Sequence, residues 1–218
     1  MICGIDEAGR GPVIGPMVIA GVNYHNDNIL IDNNVGDSKK ISPNRRIELA
    51  KIIKETSTNF EIIKISASDI DDMRKIMTIN EIEVNAFSSI INKLKPDICY
   101  VDAADVNDSR FGKNILSRLK IKTRIISKHK ADNIYPIVGA ASILAKTIRD
   151  EEILKISKIL QKKLNISIGS GYPSDPITIH FLNIWFETYG FFPPYVRNSW
   201  KTCENIAKKY KNSKLNFL

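Results

Sequence analysis

Met1-Ile2-Cys3-Gly4-Ile5-Asp6-Glu7-Ala8-Gly9-Arg10-Gly11-Pro12 opens the chain and decides how the rest is read. The apolar run 2–5 predicts a buried strand. It ends in two adjacent carboxylates, Asp6 and Glu7. Side chains alternate along a strand, so these two serve one site only if the strand ends there. Gly9, Gly11 and Pro12 supply the break, because glycine permits positive φ and proline removes a ladder donor. Gly9-Arg10-Gly11 then offers bare backbone amides beside a guanidinium, a grip for phosphate or sugar oxygens. Carboxylates able to hold a divalent cation beside such a grip point to phosphoryl-transfer chemistry. The spacing of Gly9, Gly11 and Gly15 excludes a dinucleotide loop, and no Gly-x-x-x-x-Gly-Lys-Ser/Thr string occurs.

Working outward, residues 17–24 predict a second strand antiparallel to the first. Ser42 fits an N-cap and Pro43 a first helical position, predicting a helix to about 56 with Ile47, Leu49, Ala50, Ile52 and Ile53 inward. Residues 60–66 predict a strand and 68–77 a short acidic helix. Asp69, Asp71 and Asp72 are read as exposed helix-start charges. Thr78-Ile79-Asn80-Glu81 is a capping box opening a helix to about 94. Ile98-Cys99-Tyr100-Val101-Asp102 predicts a buried strand with an aspartate at its C-terminal end. Open α/β sheets bind ligands there, which sets Asp102 above Asp97, Asp105 and Asp108, read as loop residues. A helix over 109–119 and a strand over 122–126 follow. Asp132 stands just before a long helix predicted from 135 to 164. His129 is a lone imidazole with no partner in sequence. Tyr172, between Gly171 and Pro173, is expected to hold its ring outward from a rigid loop.

Composition bounds the partners. A net charge of +8 and a pI near 9.3 favour polyanions, chiefly nucleic acid. The last 30 residues carry six basic side chains, Arg197 among them, against Glu204 alone. They are expected to form a helical end that tracks a phosphate backbone. Cys3, Cys99 and Cys203 lack metal-ligand spacing and read as buried reduced thiols, which points to a cytoplasmic protein. No signal peptide is expected, and no apolar run is long enough for a membrane span.

Gly4-Ile5-Asp6-Glu7-Ala8-Gly9-Arg10-Gly11-Pro12 is similar to the signature of the type 2 ribonucleases H, the ribonuclease HII family, in its archaeal form. Asp37-Ser38-Lys39-Lys40, Gly169-Ser170-Gly171-Tyr172-Pro173-Ser174-Asp175-Pro176 and Arg197-Asn198-Ser199-Trp200-Lys201-Thr202 also resemble family strings, in order, across nearly the whole chain. The resemblance implies an α/β fold: a ribonuclease H-like mixed sheet flanked by helices, with a small C-terminal helical subdomain. The expected division is a catalytic domain over 1–176 and a basic substrate-binding subdomain over 177–218. It implies that Asp6, Glu7, Asp102 and Asp132 converge as catalytic and metal-binding residues. Oxygen donors of this kind suit Mg²⁺ or Mn²⁺. It places Gly9, Arg10, Gly11, Lys39 and Asn80 near the nucleic acid, and Tyr172 against the sugar at an RNA-to-DNA junction.

The activity implied is cutting of RNA in RNA–DNA hybrids and incision 5′ to single ribonucleotides in duplex DNA, leaving 5′-phosphate and 3′-hydroxyl ends. With the first carboxylate at residue 6, the extra N-terminal domain of the type 3 enzymes is not expected, which favours type 2. A monomer is expected, and Leu215-Asn216-Phe217-Leu218 is a candidate tail for docking a sliding clamp. Two other readings stay open: a non-catalytic nucleic-acid-binding module on the same fold, and a resolvase-like nuclease indifferent to ribose.

Overall fold

The computed structural model describes residues 1–36 and 41–215, and the side chains up to 211. In chain order its elements are β1 (Ile2–Ala8), β2 (Met17–Tyr24), α1 (Asn28–Asp32), α2 (Pro43–Thr56), β3 (Asn59–Ile65), α3 (Ala67–Met73) and α4 (Ile79–Leu94). Then come β4 (Ile98–Asp102), α5 (Asp108–Leu116), β5 (Arg124–Lys128), α6 (Ala131–Ile134), α7 (Pro136–Leu164), α8 (Pro176–Tyr189) and α9 (Lys201–Leu215). The strands form one mixed sheet in the order β3-β2-β1-β4-β5. β1 runs antiparallel to β2 and parallel to β4, and β4 runs parallel to β5.

The chain packs as two compact units. The first is Met1–Ala8, Val18–Lys64 and Thr78–Arg149; the second is Gly9–Met17, Ile65–Met77 and Asp150–Leu218. Each gathers three separate segments, so no single cut in the sequence divides them. Helix α7 contributes to both.

In the first unit both sheet faces are covered, and strand parity decides what each face carries. Val18, Ala20 and Val22 of β2 join Ile137, Val138, Ala141 and Leu144 of α7 in one core. The opposite parity meets α4: a methyl on Gly21 would strike Ile90. Gly4 lies on the α7 side, and any Cβ there would collide with the Ile137 carbonyl. Glycine at that point lets the first turn of α7 sit directly on β1. The alternation of β1 therefore sends Asp6, two residues on, to the α7 side as well. Tyr100 of β4 also packs against this core, and Asp102 shares its parity.

The capping box at Thr78 forms as expected, with Glu81 Oε2 accepting from the Thr78 amide at 2.8 Å. Ser42 caps α2. Leu49, Ala50 and Ile53 of α2 are buried, but Ile47 is exposed. Ile47 precedes Leu49 by two residues, which puts it roughly 160° around the helix. The helix expected over 68–77 starts earlier and stops sooner, because Ser66 caps it in a box with Asp69. The helix expected from 135 to 164 forms as α7, and the short α6 precedes it as a separate turn. Pro136 holds Tyr135 extended, at φ −119° and ψ 113°, so α6 ends as a single turn before α7 begins.

The second unit has its own core. Val13 and Ile14 pack with Ile156 and Leu160 of α7, Phe181 and Leu182 of α8, and Val196 and Cys203. All three cysteines are buried free thiols. Burial pushes the Cys203 thiol up to about 12, which makes it a poor nucleophile.

Candidate active site

The carboxylates are positioned by strand register and by one helix turn. β1 and β4 pair Ile2 with Ile98, Gly4 with Tyr100 and Ile5 with Val101. Carried one residue further, this register sets Asp6 beside Asp102, on strands about 4.8 Å apart. The break expected from Gly9 onward falls there, since β1 stays paired with β2 through Ala8 and Gly9 takes a positive φ. Glu7 therefore starts on the opposite parity, yet its charge still acts on Asp6.

Asp6 is buried, at 4% exposure, and its carboxyl is pushed well above the usual carboxylate range. Burial is the main cause; the charges of Glu7 and then Asp102 add to it. The Ser142 hydroxyl and the Glu7 amide, the latter donating to Asp6 Oδ1 at 2.8 Å, act in the opposite sense. Ser142 is a site residue that sequence reasoning missed. Its signal was a single hydroxyl in the otherwise small, apolar run 137–145 of α7.

Asp102 Oδ1 accepts from the Ala131 amide at 2.9 Å. That bond ties the end of β4 to the start of α6, the turn that carries Asp132. Lys130 stands in the left-handed region at φ 55°, which redirects the chain into this turn. Asp132 is 3% exposed, and its Oδ1 has no hydrogen-bond partner among the described residues. An unpartnered buried carboxylate oxygen is costly and marks a place where a ligand would repay the cost.

Among the described residues, no group of three or more His, Cys, Asp or Glu side chains stands close enough to make a ready cation site. Like charges resist such closure by about 4 kcal/mol for a pair about 4 Å apart at an effective dielectric of about 20. A divalent ion would supply the opposing attraction. The donor set is all oxygen, with the charges of Glu7 and Asp102 acting on Asp6 and one Asp132 oxygen unpartnered among the described residues, and it fits a hard cation. Asn80 sits half-buried in the first turn of α4 and is not among the groups that act on Asp6. Lys39 lies outside the described residues.

In the second unit, Gly9 takes φ +88° and turns the chain out of the strand. The loop it opens is gripped by Arg197, which is fully buried. Arg197 donates from Nη2 to the Gly9 carbonyl at 2.6 Å, from Nη1 to the Arg10 carbonyl at 2.8 Å and from Nε to the Gly15 carbonyl at 3.0 Å. The sequence expectation that Arg197 tracks a phosphate backbone is therefore corrected: charge counting cannot tell a buried guanidinium from an exposed one. Trp200 Nε1 donates to the Gly11 carbonyl at 3.1 Å.

Tyr172 belongs to the same unit. The residue is 41% exposed, and a Cβ on Gly11 would lie 3.8 Å from Tyr172 Cε1. The Gly171 carbonyl accepts from the amides of Val13 and Ile14 at 2.8 and 3.1 Å, tying the two loops together. Asp175 holds the tyrosine loop from the other end, accepting from the Ser170 amide at 2.6 Å and the Ile177 amide at 2.9 Å. These bonds lower its carboxyl to about 2. Asp71, expected to be an exposed helix-start charge, instead accepts from the Asn198 amide at 2.7 Å and the Ser199 hydroxyl at 2.6 Å. Asp105 lies in the loop between β4 and α5, as expected, and is buried there in a two-pronged bond with Arg110 that holds it at about 2.

Comparison with known proteins bears on this geometry. Residues 3–203 match the family described as Ribonuclease HII. The chain is 49% identical to the Ribonuclease HII of Methanosarcina barkeri over 224 residues, covering 98% of each. It resembles the crystal structure of the ribonuclease H2 from Pyrococcus horikoshii, with a TM-score of 0.87 and 39% identity over 96% of this chain and 98% of that one. It also resembles the enzyme in the PCNA:RNase HII complex from Archaeoglobus fulgidus, with a TM-score of 0.85 and 42% identity over 94% and 96%. A chain with this sheet order and these carboxylate-bearing strand ends, matched so closely from end to end, belongs to the ribonuclease HII family and is a ribonuclease H hydrolase.

Proposed function

We propose that this chain is a divalent-metal-dependent endonuclease that cuts RNA in RNA–DNA hybrids and incises duplex DNA 5′ to a single ribonucleotide, leaving 5′-phosphate and 3′-hydroxyl ends. The observation that carries this reading is Asp6, buried against the charges of Glu7 and Asp102 and supported by Ser142. Asp6, Glu7, Asp102 and Asp132 would hold Mg²⁺ or Mn²⁺. When bound, such ions activate water for attack on phosphorus and neutralise charge on the leaving oxygen.

The chain's own groups do the rest. Ser142 and the Glu7 amide orient the Asp6 carboxylate by donating to it. The Ala131 amide fixes the Asp102 carboxylate. The amides and guanidinium of Gly9-Arg10-Gly11 bind sugar and phosphate oxygens of the ribonucleotide. Tyr172 rests against the sugar at the RNA-to-DNA junction and supports selection for the 2′-hydroxyl, the group that separates RNA from DNA. Asn80 and Lys39 contact the nucleic-acid backbone, and the lysines of α9 follow it.

The enzyme works as a cytoplasmic monomer. No helix among the described residues is long and apolar enough to cross a membrane. Docking of a sliding clamp by the last residues, 216–218 of which lie outside the described residues, draws on the neighbour solved as a PCNA complex.

The test is a panel of labelled duplexes with Mg²⁺ or Mn²⁺: an RNA–DNA hybrid, a DNA duplex with one ribonucleotide, and an all-DNA duplex. Cutting of the first two alone is expected. Cutting of the third would favour the resolvase-like reading, and binding without cutting the non-catalytic module.

A further inference from the structure

We infer that Arg197 and Trp200 are positioning residues that set the Gly9-Arg10-Gly11 loop for its substrate, and that α3 braces them from behind. The inference rests on the proposal that this loop binds the ribonucleotide. Every group named here lies in the second unit.

No peptide bond in the described residues is cis, and in a trans peptide the carbonyl and the following N–H point in opposite directions. Arg197 draws the carbonyls of Gly9 and Arg10 towards its guanidinium. The N–H groups of Arg10 and Gly11 are thereby turned the other way, side by side. Successive amides aimed in one direction form an anion-binding concavity. Trp200 Nε1 turns the Gly11 carbonyl in the same manner. The Arg197 amide donates to the Val13 carbonyl at 2.9 Å and carries the grip along the loop. The guanidinium fork thus satisfies itself on carbonyl oxygens and sorts the loop's dipoles, negative ends inward and positive ends outward. Lysine has no such fork and cannot hold three separated carbonyls together.

The brace is itself held. Two guanidinium groups lie over the Trp200 ring, with the Arg197 and Arg74 carbons each 4.9 Å from its centre. Asp71 accepts from the Asn198 and Ser199 amides, which fixes the turn between Arg197 and Trp200. Asp71 and Arg74 both come from α3 and its C-cap. Residues of α3 and of the 197–200 stretch, both distant in the chain, thus govern a loop at positions 9–11.

The experiment compares Arg197→Lys, Trp200→Phe and Asp71→Asn with the wild-type chain in two assays. The first is the rate of tryptic cleavage at Arg10–Gly11, read by mass spectrometry, which needs no substrate. The second is the kcat and KM split on a duplex with one ribonucleotide. Arg197→Lys should speed cleavage at Arg10 more than at other sites and lower kcat/KM about 100-fold, mainly through KM. Trp200→Phe keeps the stacked ring and loses one hydrogen bond, so its drop should be about 2- to 10-fold. Asp71→Asn should be the mildest.

Wild-type protection of Arg10 in a folded Arg197→Lys would overturn the brace. A loosened loop with an unchanged KM would overturn its role in substrate positioning. Failure of the wild-type enzyme to require a ribonucleotide would instead defeat the functional proposal, and the tryptic assay would still judge the brace. Should Arg197→Lys fail to fold, Trp200→Phe decides by the same two readouts.

Discussion

Asp6 and Arg197 are both buried charged side chains, and they are buried in opposite ways. Arg197 is surrounded by acceptors: three carbonyls take its hydrogen bonds and an indole ring lies against it. Asp6 has the charges of Glu7 and Asp102 beside it, and burial together with them drives its carboxyl towards the protonated form against the pull of the Ser142 hydroxyl and the Glu7 amide. A buried charge that is satisfied by its own protein is doing structural work. One held against its electrostatic interest is waiting for something the chain does not supply. The pair therefore separates the part of the molecule that shapes from the part that reacts.

The comparison can be broken most sharply at Asp102. Asparagine there still accepts from the Ala131 amide, so the turn into α6 should survive. Loss of the carboxylate should nevertheless take cleavage of a ribonucleotide-containing duplex to the detection limit. Cleavage assays paired with circular dichroism check both halves. Tyr172→Ala comes next and tests the shaping side; removal of an aromatic face from a nucleic-acid contact should lower kcat/KM by about 10-fold or more. Tyr172→Phe should fall much less, since the ring remains.

Asp175 offers a pH test. Its carboxyl is lowered from 3.8 to about 2 by donors from its own loop, chiefly the Ser170 amide and hydroxyl. A lowered acid stabilises the fold above its unfolded value, and that contribution is lost as pH falls through the folded one. Asp175→Asn should thus reduce the melting temperature at pH 7, and the gap from the wild type should close between about pH 4 and pH 2. Thermal melts across that window measure it. The smallest effect belongs to Ile47. Ile47→Lys should change stability by no more than about 0.5 kcal/mol. Ile53→Ala, on the buried stripe of the same helix, should cost about 2–5 kcal/mol in denaturant titrations.

Much of this arrangement was legible before any coordinates, because its signals are local. An apolar run closing in Asp6 or Asp102 announces a strand end, and Thr78 to Glu81 announces a capped helix. Tyr172 between glycine and proline announced an outward ring. What escaped was everything decided by residues far apart in the chain. Arg197 carries the same positive charge in a composition count whether it meets a phosphate or three buried carbonyls. Asp71 looks like any acid at a helix start until its partners, 127 and 128 residues away, are in view. Ser142 is one hydroxyl among small residues, and only the close approach permitted by Gly4 brings its helix over Asp6.

Asp6→Asn tests the central claim most directly, with two measurements on one variant. The neutral amide removes a buried charge and its repulsion with Glu7 and Asp102. In buffer free of divalent ions the melting temperature should therefore rise, by about 2–4 °C for each kcal/mol relieved. The same variant should bind a duplex carrying one ribonucleotide and, with Mg²⁺ or Mn²⁺ added, leave it uncut. A variant that melts no higher than the wild type and cuts as well would contradict the account, because Asp6 would then be neither strained nor required.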